Sequence, residues 1–294
     1  MNNYKPSLLV SNVFDPISRD ETKIMDLYES IANLNFYKSL EIRVIQSPSI
    51  RKAFSDLSKV HKWNITYWLT SNLNDSGFSL SNTLEFERIA AVEYTKRLID
   101  MCVEGNASYI GICSGKRVHH SEDEFLAFKM SCIELLHYIS NIDSIKLLFE
   151  PLDAYADKKF VVGDMHCVKR LYNELIKSSV NIHQFILCID TAHIALNKDD
   201  LFQYMTEFGQ YSNRIHFANA ILDPNNLNFG DKHLPFNNEG FLDNQMIKAL
   251  FDYSKRIHFF CEEVFLTCEI RSKSFDEMEQ TEQFGRELLL ELLK

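Results

Sequence analysis

Four residues of this 294-residue chain combine metal-donor chemistry with a shared placement. Glu150 in LLFEP, Asp190 in LCIDTAH, His216 in RIHFAN and Glu269 in LTCEI each end, or lie close to the end of, a short apolar run. A charge in such a place is costly to desolvate unless it pairs or binds a cation. Three carboxylates and one imidazole, with no thiolate, suit a hard or borderline divalent ion: Mn²⁺, Mg²⁺, Co²⁺ or Zn²⁺. Taken singly, each has a plainer use. Asp190 or Glu150 could cap a helix or join an ion pair. His216 could be a hydrogen-bonded core histidine, and Glu269 has rivals in Glu262 and Glu263 at the other end of its run. A second group lies nearby: His193, three residues after Asp190, with Asp231 and His233 in GDKHLPF. These last two sit in segment 221–240, a connection long enough to be functional. The three could hold a second metal or grip a hydroxylated or phosphorylated substrate, the plainer alternative for Asp231 and His233 being a solvated loop.

For these groups to meet, the runs that carry them must be neighbouring strands. Short apolar, β-branched or aromatic runs alternate with amphipathic stretches along the whole chain, the pattern of repeated βα units. Strands are expected at 7–13, 40–45, 64–70, 107–113, 145–150, 184–190, 213–218 and 263–269. Helices are expected near 19–34, 48–61, 83–104, 121–141, 163–179, 197–208, 242–255 and 276–293. Polar residues from Ser81 to Glu85, and Ser121 followed by three acids, read as helix starts. Eight units predict an α/β fold, a single closed (β/α)₈ TIM barrel spanning 1–294 as one domain, whose strand ends converge on one face. An open doubly wound sheet is disfavoured because no GxGxxG loop follows the first strand.

Composition fits this reading. With 46% hydrophobic residues the chain can bury a large core, and no repeat, low-complexity tract or linker divides it. A formal charge of −10 works against a nucleic-acid backbone or an anionic membrane as partner. The N-terminal residues lack a signal-peptide pattern and no run is long enough to span a membrane, so a cytoplasmic protein is expected. The seven cysteines are odd in number and mostly within apolar runs, which reads as reduced core thiols. The remaining histidines, His119 and His120 among them, read as surface or structural, and Trp68 and Phe217 as core residues near strand tops.

The motifs FEPLD (149–153), IDTAHIAL (189–196), RIHFAN (214–219), HLPFNNEGFLD (233–243) and CEIR (268–271) resemble, in order and spacing, the xylose-isomerase-like TIM barrels. That group includes sugar isomerases, ketose 3-epimerases, inosose dehydratases and endonuclease IV-type enzymes. The resemblance implies that Glu150, Asp190, His216 and Glu269 hold one divalent ion. It also implies that the two glutamates form the acid/base pair and that His193 contacts a substrate oxygen. Glu-Pro-Leu on the fifth strand is similar to the sugar-enzyme version. The endonuclease pattern is partial: Asp231, Lys232 and His233 resemble its Asp-Arg-His. Its histidines from the third and fourth strands are replaced, with Asn64 and Cys113 in their places, and Asn219 stands where an acid follows the seventh-strand histidine.

The resulting expectation is a divalent-metal-dependent isomerase or epimerase of a small sugar or sugar derivative, working by proton abstraction through a metal-stabilised enediolate. Glu150 and Glu269 would be catalytic, and related dehydration chemistry would use the same parts. The alternative is an endonuclease IV-like, metal-dependent phosphoester hydrolase. The expected partner is a sugar-like small molecule, and a homo-oligomer is compatible with this reading.

Overall fold

A computed structural model describes residues 2–119, 122–142, 144–236 and 239–294. His120, Ser121 with its expected capping role, and Asn238 of the HLPFNNEGFLD motif lie outside the described residues. The strands are β1 (Asn3–Leu9), β2 (Ser39–Ile42), β3 (Asn64–Trp68), β4 (Tyr109–Ile112), β5 (Lys146–Phe149), β6 (Phe185–Asp190), β7 (Ser212–Ala218), β8 (Ala220–Ile221), β9 (Gly230–Asp231) and β10 (Glu263–Glu269). Eight of them close into a barrel in the order β1-β10-β7-β6-β5-β4-β3-β2, and every barrel pairing is parallel. Helices fill the connections between barrel strands, so the fold is a (β/α)₈ TIM barrel.

Side-chain alternation divides each strand between two cores. In β6, Phe185, Leu187 and Ile189 face outward and join the large cluster under the helices, whereas Ile186 and Cys188 point into the barrel. The interior cluster adds Leu9, Trp68, Tyr109, Leu148 and Phe265 from five other strands. Two glycines make close approaches possible. At Gly111 in β4 a Cβ would sit 2.2 Å from Trp68 Cε3, so only glycine leaves room for that indole inside the barrel. Gly230 has φ +99° and lies against Asp157, where any side chain would be strained and crowded.

The first strand departs from the sequence expectation. It runs through Asn3–Leu9, and Val10–Val13 is one helical turn. The apolar run SLLVSNV hides this change of period: Val10 and Val13, three apart, face the outer core, while Ser11 and Asn12 turn into the barrel mouth. Pro6 lacks an N–H but does not stop the strand, since its carbonyl still accepts from Lys38 N at 2.9 Å. The helix expected near 197–208 starts later and is preceded by a short helix that the sequence reading did not give. Thr191–Leu196 is a separate short helix, and Leu201–Phe208 starts afresh with Asp200 accepting from Gln203 N at 2.8 Å.

The long connection after β7 carries the antiparallel pair β8 and β9. Asn219, at its start, is tied to its far end: its Nδ2 donates to Pro235 O at 2.9 Å and its Oδ1 accepts from Leu242 N at 2.9 Å. Among the described residues no helix is long and apolar enough to cross a membrane.

Candidate metal centre

β5, β6, β7 and β10 are consecutive around the barrel, so their C-terminal ends meet at one side of the mouth. Donor atoms of Glu150, Asp190, His216 and Glu269 all lie within 4.8 Å of one another. His216 Nδ1 is the hub, 2.9 Å from Glu269 Oε2, 3.2 Å from Glu150 Oε1 and 4.0 Å from Asp190 Oδ2. His216, Asp190 and Glu269 are buried, and the Glu150 side chain keeps 13% of its surface toward the cavity.

Each donor is held by its own backbone context. Asp190 ends β6 and caps the helix Thr191–Leu196, its Oδ1 accepting from His193 N at 3.0 Å. That leaves Oδ2 buried with no hydrogen-bond partner, facing the other donors. An orphaned carboxylate oxygen among oxygen and nitrogen donors is what a hard or borderline cation would satisfy, so the residues present fit a divalent ion. Cys188 Sγ is also within 4.8 Å of Glu150 and His216. Burial keeps that thiol protonated by raising its pKa, which makes the carboxylate set the better match for such an ion.

A residue that the sequence reading did not single out lies beneath this set. Glu41 of β2 is fully buried, and its oxygens lie 3.0 and 3.2 Å from His216 Nε2. It also accepts from Ser7 Oγ at 3.0 Å, Trp68 Nε1 at 2.9 Å and Thr267 Oγ1 at 2.6 Å. Arg214 Nη1, on a fully buried side chain, is 2.7 Å away as a charge contact without hydrogen-bond angles. Although burial opposes its charge, the Arg214 and His216 cations hold the Glu41 carboxyl well below the usual carboxylate range. With Nε2 donating to Glu41, the imidazole presents Nδ1 to the donor cluster, the carboxylate–histidine arrangement common around metal sites.

The charges within the cluster split the carboxylates. Asp190 is pushed well above its ordinary value by burial and by Glu269 and Glu150. Glu269 is held at about 2: burial works against it, but the His216 hydrogen bond and the His233 and His216 charges prevail. His216 itself is raised despite burial. As the Cys188 thiol is neutral, Glu41 and the hydrogen bond to Glu150 supply that shift.

The second predicted group lines the same cavity. His233 Nδ1 is 3.2 Å from Glu269 Oε1 and 3.1 Å from Asp231 Oδ1, and His193 Nε2 is 3.8 Å from Asp231 Oδ2. His193 Nδ1 faces Asp153 Oδ1 at 3.2 Å. Its pKa is lifted to about 10, because Asp190, Asp153 and Asp231 outweigh burial. Asp231 is held well below its ordinary value, burial being overcome by His233, His193 and Lys158.

Two placements differ from the sequence reading. Asn64 opens β3 at the opposite rim of the barrel, away from the mouth, because the strand's C-terminal end is Trp68. The mouth on that side is formed by Trp68, Thr70 and Cys113, with Thr70 Oγ1 and Cys113 Sγ 3.3 Å apart. Phe217 is fully buried in the outer core, whereas Trp68 lines the cavity with its ring edge-on to His216 at 5.8 Å. Asn12, hidden in the misread end of β1, donates from Nδ2 to Glu269 Oε1 at 2.9 Å. The cavity is about 450 Å³, within the range of small-molecule sites.

Comparison with known proteins agrees with this architecture. Residues 30–288 match the family model described as xylose isomerase-like TIM barrel. No curated relative shows significant similarity to the sequence. Among solved structures, a D-tagatose 3-epimerase-like protein superposes with a TM-score of 0.70 at 15% identity, covering 99% of this chain and 98% of that one. The IOLI protein with a binding zinc atom gives 0.67 at 13% identity, covering 98% of each. AP endonuclease, family 2, from Brucella melitensis gives 0.59 at 12% identity, covering 93% and 95%. At such identities the likeness is one of fold.

Proposed function

The chain belongs to the xylose isomerase-like TIM barrel family, and on that premise we propose that it is a divalent-metal-dependent isomerase or epimerase of a small sugar or sugar derivative. The observation that carries the reading is the convergence of three carboxylates on His216 Nδ1 at the barrel mouth, with one Asp190 oxygen left orphaned. Glu150, Asp190, His216 and Glu269 would hold the ion, which when bound would act as a Lewis acid toward a carbonyl and its neighbouring hydroxyl.

The chain's own residues supply the proton chemistry. Glu269 is kept ionised by its partners and is assigned as the base that takes the proton from the carbon next to the carbonyl. Glu150, open to the cavity, returns a proton: to the opposite face of the same carbon in an epimerase, or to the former carbonyl carbon in an isomerase, where the proton of the neighbouring hydroxyl must also pass to the former carbonyl oxygen. His193 and His233 lie where substrate oxygens would need donors, and Trp68, Leu152 and Phe160 give the cavity an apolar wall that limits water. The free thiols of all seven cysteines are in keeping with a cytoplasmic location.

A metal-dependent phosphoester hydrolase is the second reading. It is favoured by the adjacent His193, Asp231 and His233, which offer a further donor set beside Glu269.

The deciding experiment incubates Mn²⁺-loaded protein with a ketose panel in deuterated water. Solvent deuterium should enter the carbon next to the carbonyl, and Glu150→Gln and Glu269→Gln should each abolish that exchange while the circular-dichroism spectrum is retained. Metal analysis should find one ion per chain. Absence of exchange together with metal-dependent cleavage of abasic DNA, and two or three ions per chain about 3.5–4 Å apart, would replace this reading with the hydrolase.

A further inference from the structure

Three guanidinium groups, Arg19, Arg43 and Arg271, line the same cavity, and the proton chemistry above uses none of them. Topology places them together. Arg43 directly follows β2, Arg271 comes two residues after β10 ends, and Arg19 lies in the connection leaving β1. β10, β1 and β2 are adjacent in the barrel, so the arginines form an arc on one side of the mouth, with β5 and Glu150 diametrically across.

The arc is under-neutralised. Arg43 pairs with Asp15 at 3.0 Å and donates from Nε to Ser18 Oγ at 3.1 Å. Arg19 reaches Asp75 at 3.3 Å, but both side chains are 63% exposed, where an ion pair contributes little. Arg271 donates to the neutral Asn12 Oδ1 at 3.1 Å and has no ion pair among the described residues. Three cations against the carboxylates of Asp15 and Asp75 leave about one uncompensated positive charge, that of Arg271, and the exposed Arg19–Asp75 pair is weak enough to free a second for a phosphate monoester, which carries about −1.5 to −2 at neutral pH. Burial, with the Arg19 and Arg271 charges, accordingly holds Arg43 below the ordinary guanidinium range. A chain of net charge −10 does not acquire such an excess from a generally basic surface. Guanidinium forks also match phosphate oxygens in pairs.

We propose that Arg19, Arg43 and Arg271 form an anion subsite, and that the substrate is a small hydroxy-carbonyl compound bearing a phosphate monoester remote from its reacting carbons. This rests on the isomerase reading for the reacting end and on the arginine arc alone for the other. With the carbonyl end at Glu150 and Glu269, the phosphate would lie over the ends of β1 and β2.

Calorimetry tests it with wild type, Arg43→Gln and Arg271→Gln. Arg271 is exposed, so its variant is expected to fold even if the half-buried Arg43 is needed for stability. Mn²⁺-loaded protein is titrated with D-ribulose and with D-ribulose 5-phosphate, and metal-free protein with inorganic phosphate. The phosphorylated ketose should bind wild type at least about tenfold more tightly than the free ketose. Each substitution should weaken phosphate ligands about tenfold or more, the worth of one hydrogen bond to a charged group, and leave Mn²⁺ uptake unchanged. Equal affinity for the two sugars would overturn the proposal. So would phosphate binding that needs the metal or survives both substitutions. If neither sugar binds but inorganic phosphate still binds through Arg43 and Arg271, the isomerase reading fails and the subsite stands. If a short abasic duplex binds more tightly than the sugar phosphate, with affinity falling steeply in salt, the arc reads a nucleic-acid backbone and the small-substrate assignment is wrong.

Discussion

Replacing Glu41 by Gln should weaken metal binding and stability through two separable routes. The substitution keeps the shape of the side chain but removes its charge, and the new amide NH₂ would face donors that now find a carboxylate. Glu41 receives Ser7, Trp68, Thr267 and His216 and sits 2.7 Å from Arg214. The larger stability term is Arg214, fully buried and left with no counter-charge, a loss of about 3–5 kcal/mol when one partner of a buried pair is removed. Measured against a total stability of about 5–15 kcal/mol, the variant should fold, with Tm lower by roughly 6–20 °C at about 2–4 °C per kcal/mol. The second route is local to His216. Without a carboxylate on Nε2 the imidazole is no longer fixed with Nδ1 toward Glu150, Asp190 and Glu269, and losing such a partner weakens metal binding by about 10–100-fold.

Thermal unfolding followed by circular dichroism and Mn²⁺ titration by calorimetry read the two routes independently. Adding Arg214→Met to Glu41→Gln removes the unpaired cation, so Tm should recover most of its loss while Mn²⁺ affinity stays low. If the double variant regains affinity along with stability, or if Glu41→Gln alone binds Mn²⁺ like wild type, then Glu41 only neutralises Arg214 and does not position His216.

Two further outcomes follow from packing. Gly111→Ala places a Cβ 2.2 Å from the Trp68 ring, so it should lower stability by about 1–3 kcal/mol and shift the tryptophan emission as the indole leaves its place beside His216; an unchanged Tm and spectrum would show that Trp68 has room to spare. Asn219→Ala cuts both hydrogen bonds by which that side chain ties the loop between β7 and the helix Asn244–Ser254, so limited proteolysis should cleave between 222 and 240 faster than in wild type, and equal cleavage rates would mean that the loop's other contacts, such as Arg271 N to His233 O, suffice to hold it.

The closed barrel, and the meeting of Glu150, Asp190, His216 and Glu269 at its mouth, were legible in the sequence because three largely apolar runs carry an acid at or just past their C-terminal end, and the fourth carries His216 two residues before its end. The first half was less so. β1, β3 and β4 end in Leu9, Trp68 and Ile112, which carry no charge to mark the mouth, and there the reading misplaced Asn64 and the boundary of β1. Asn12 was lost for the same reason: SLLVSNV keeps its apolar character across a change from strand to helical turn. Glu41 was missed because all its partners are distant in sequence, on β1, β3, β7 and β10.

It was nonetheless deducible. Inward positions alternate, so the residue two before a strand-end donor lies beneath it, which gives Leu148, Cys188, Arg214 and Thr267 under Glu150, Asp190, His216 and Glu269. Among these only Arg214 is charged, and a guanidinium inside a barrel requires an acid from another strand. In the eight expected strands the only acid that is not at a strand end is Glu41, flanked by Leu40 and Ile42. The need of Arg214 for a counter-charge and the burial of Glu41 are thus one requirement seen from two strands, and the carboxylate that meets it is the one that turns His216 toward the donor cluster.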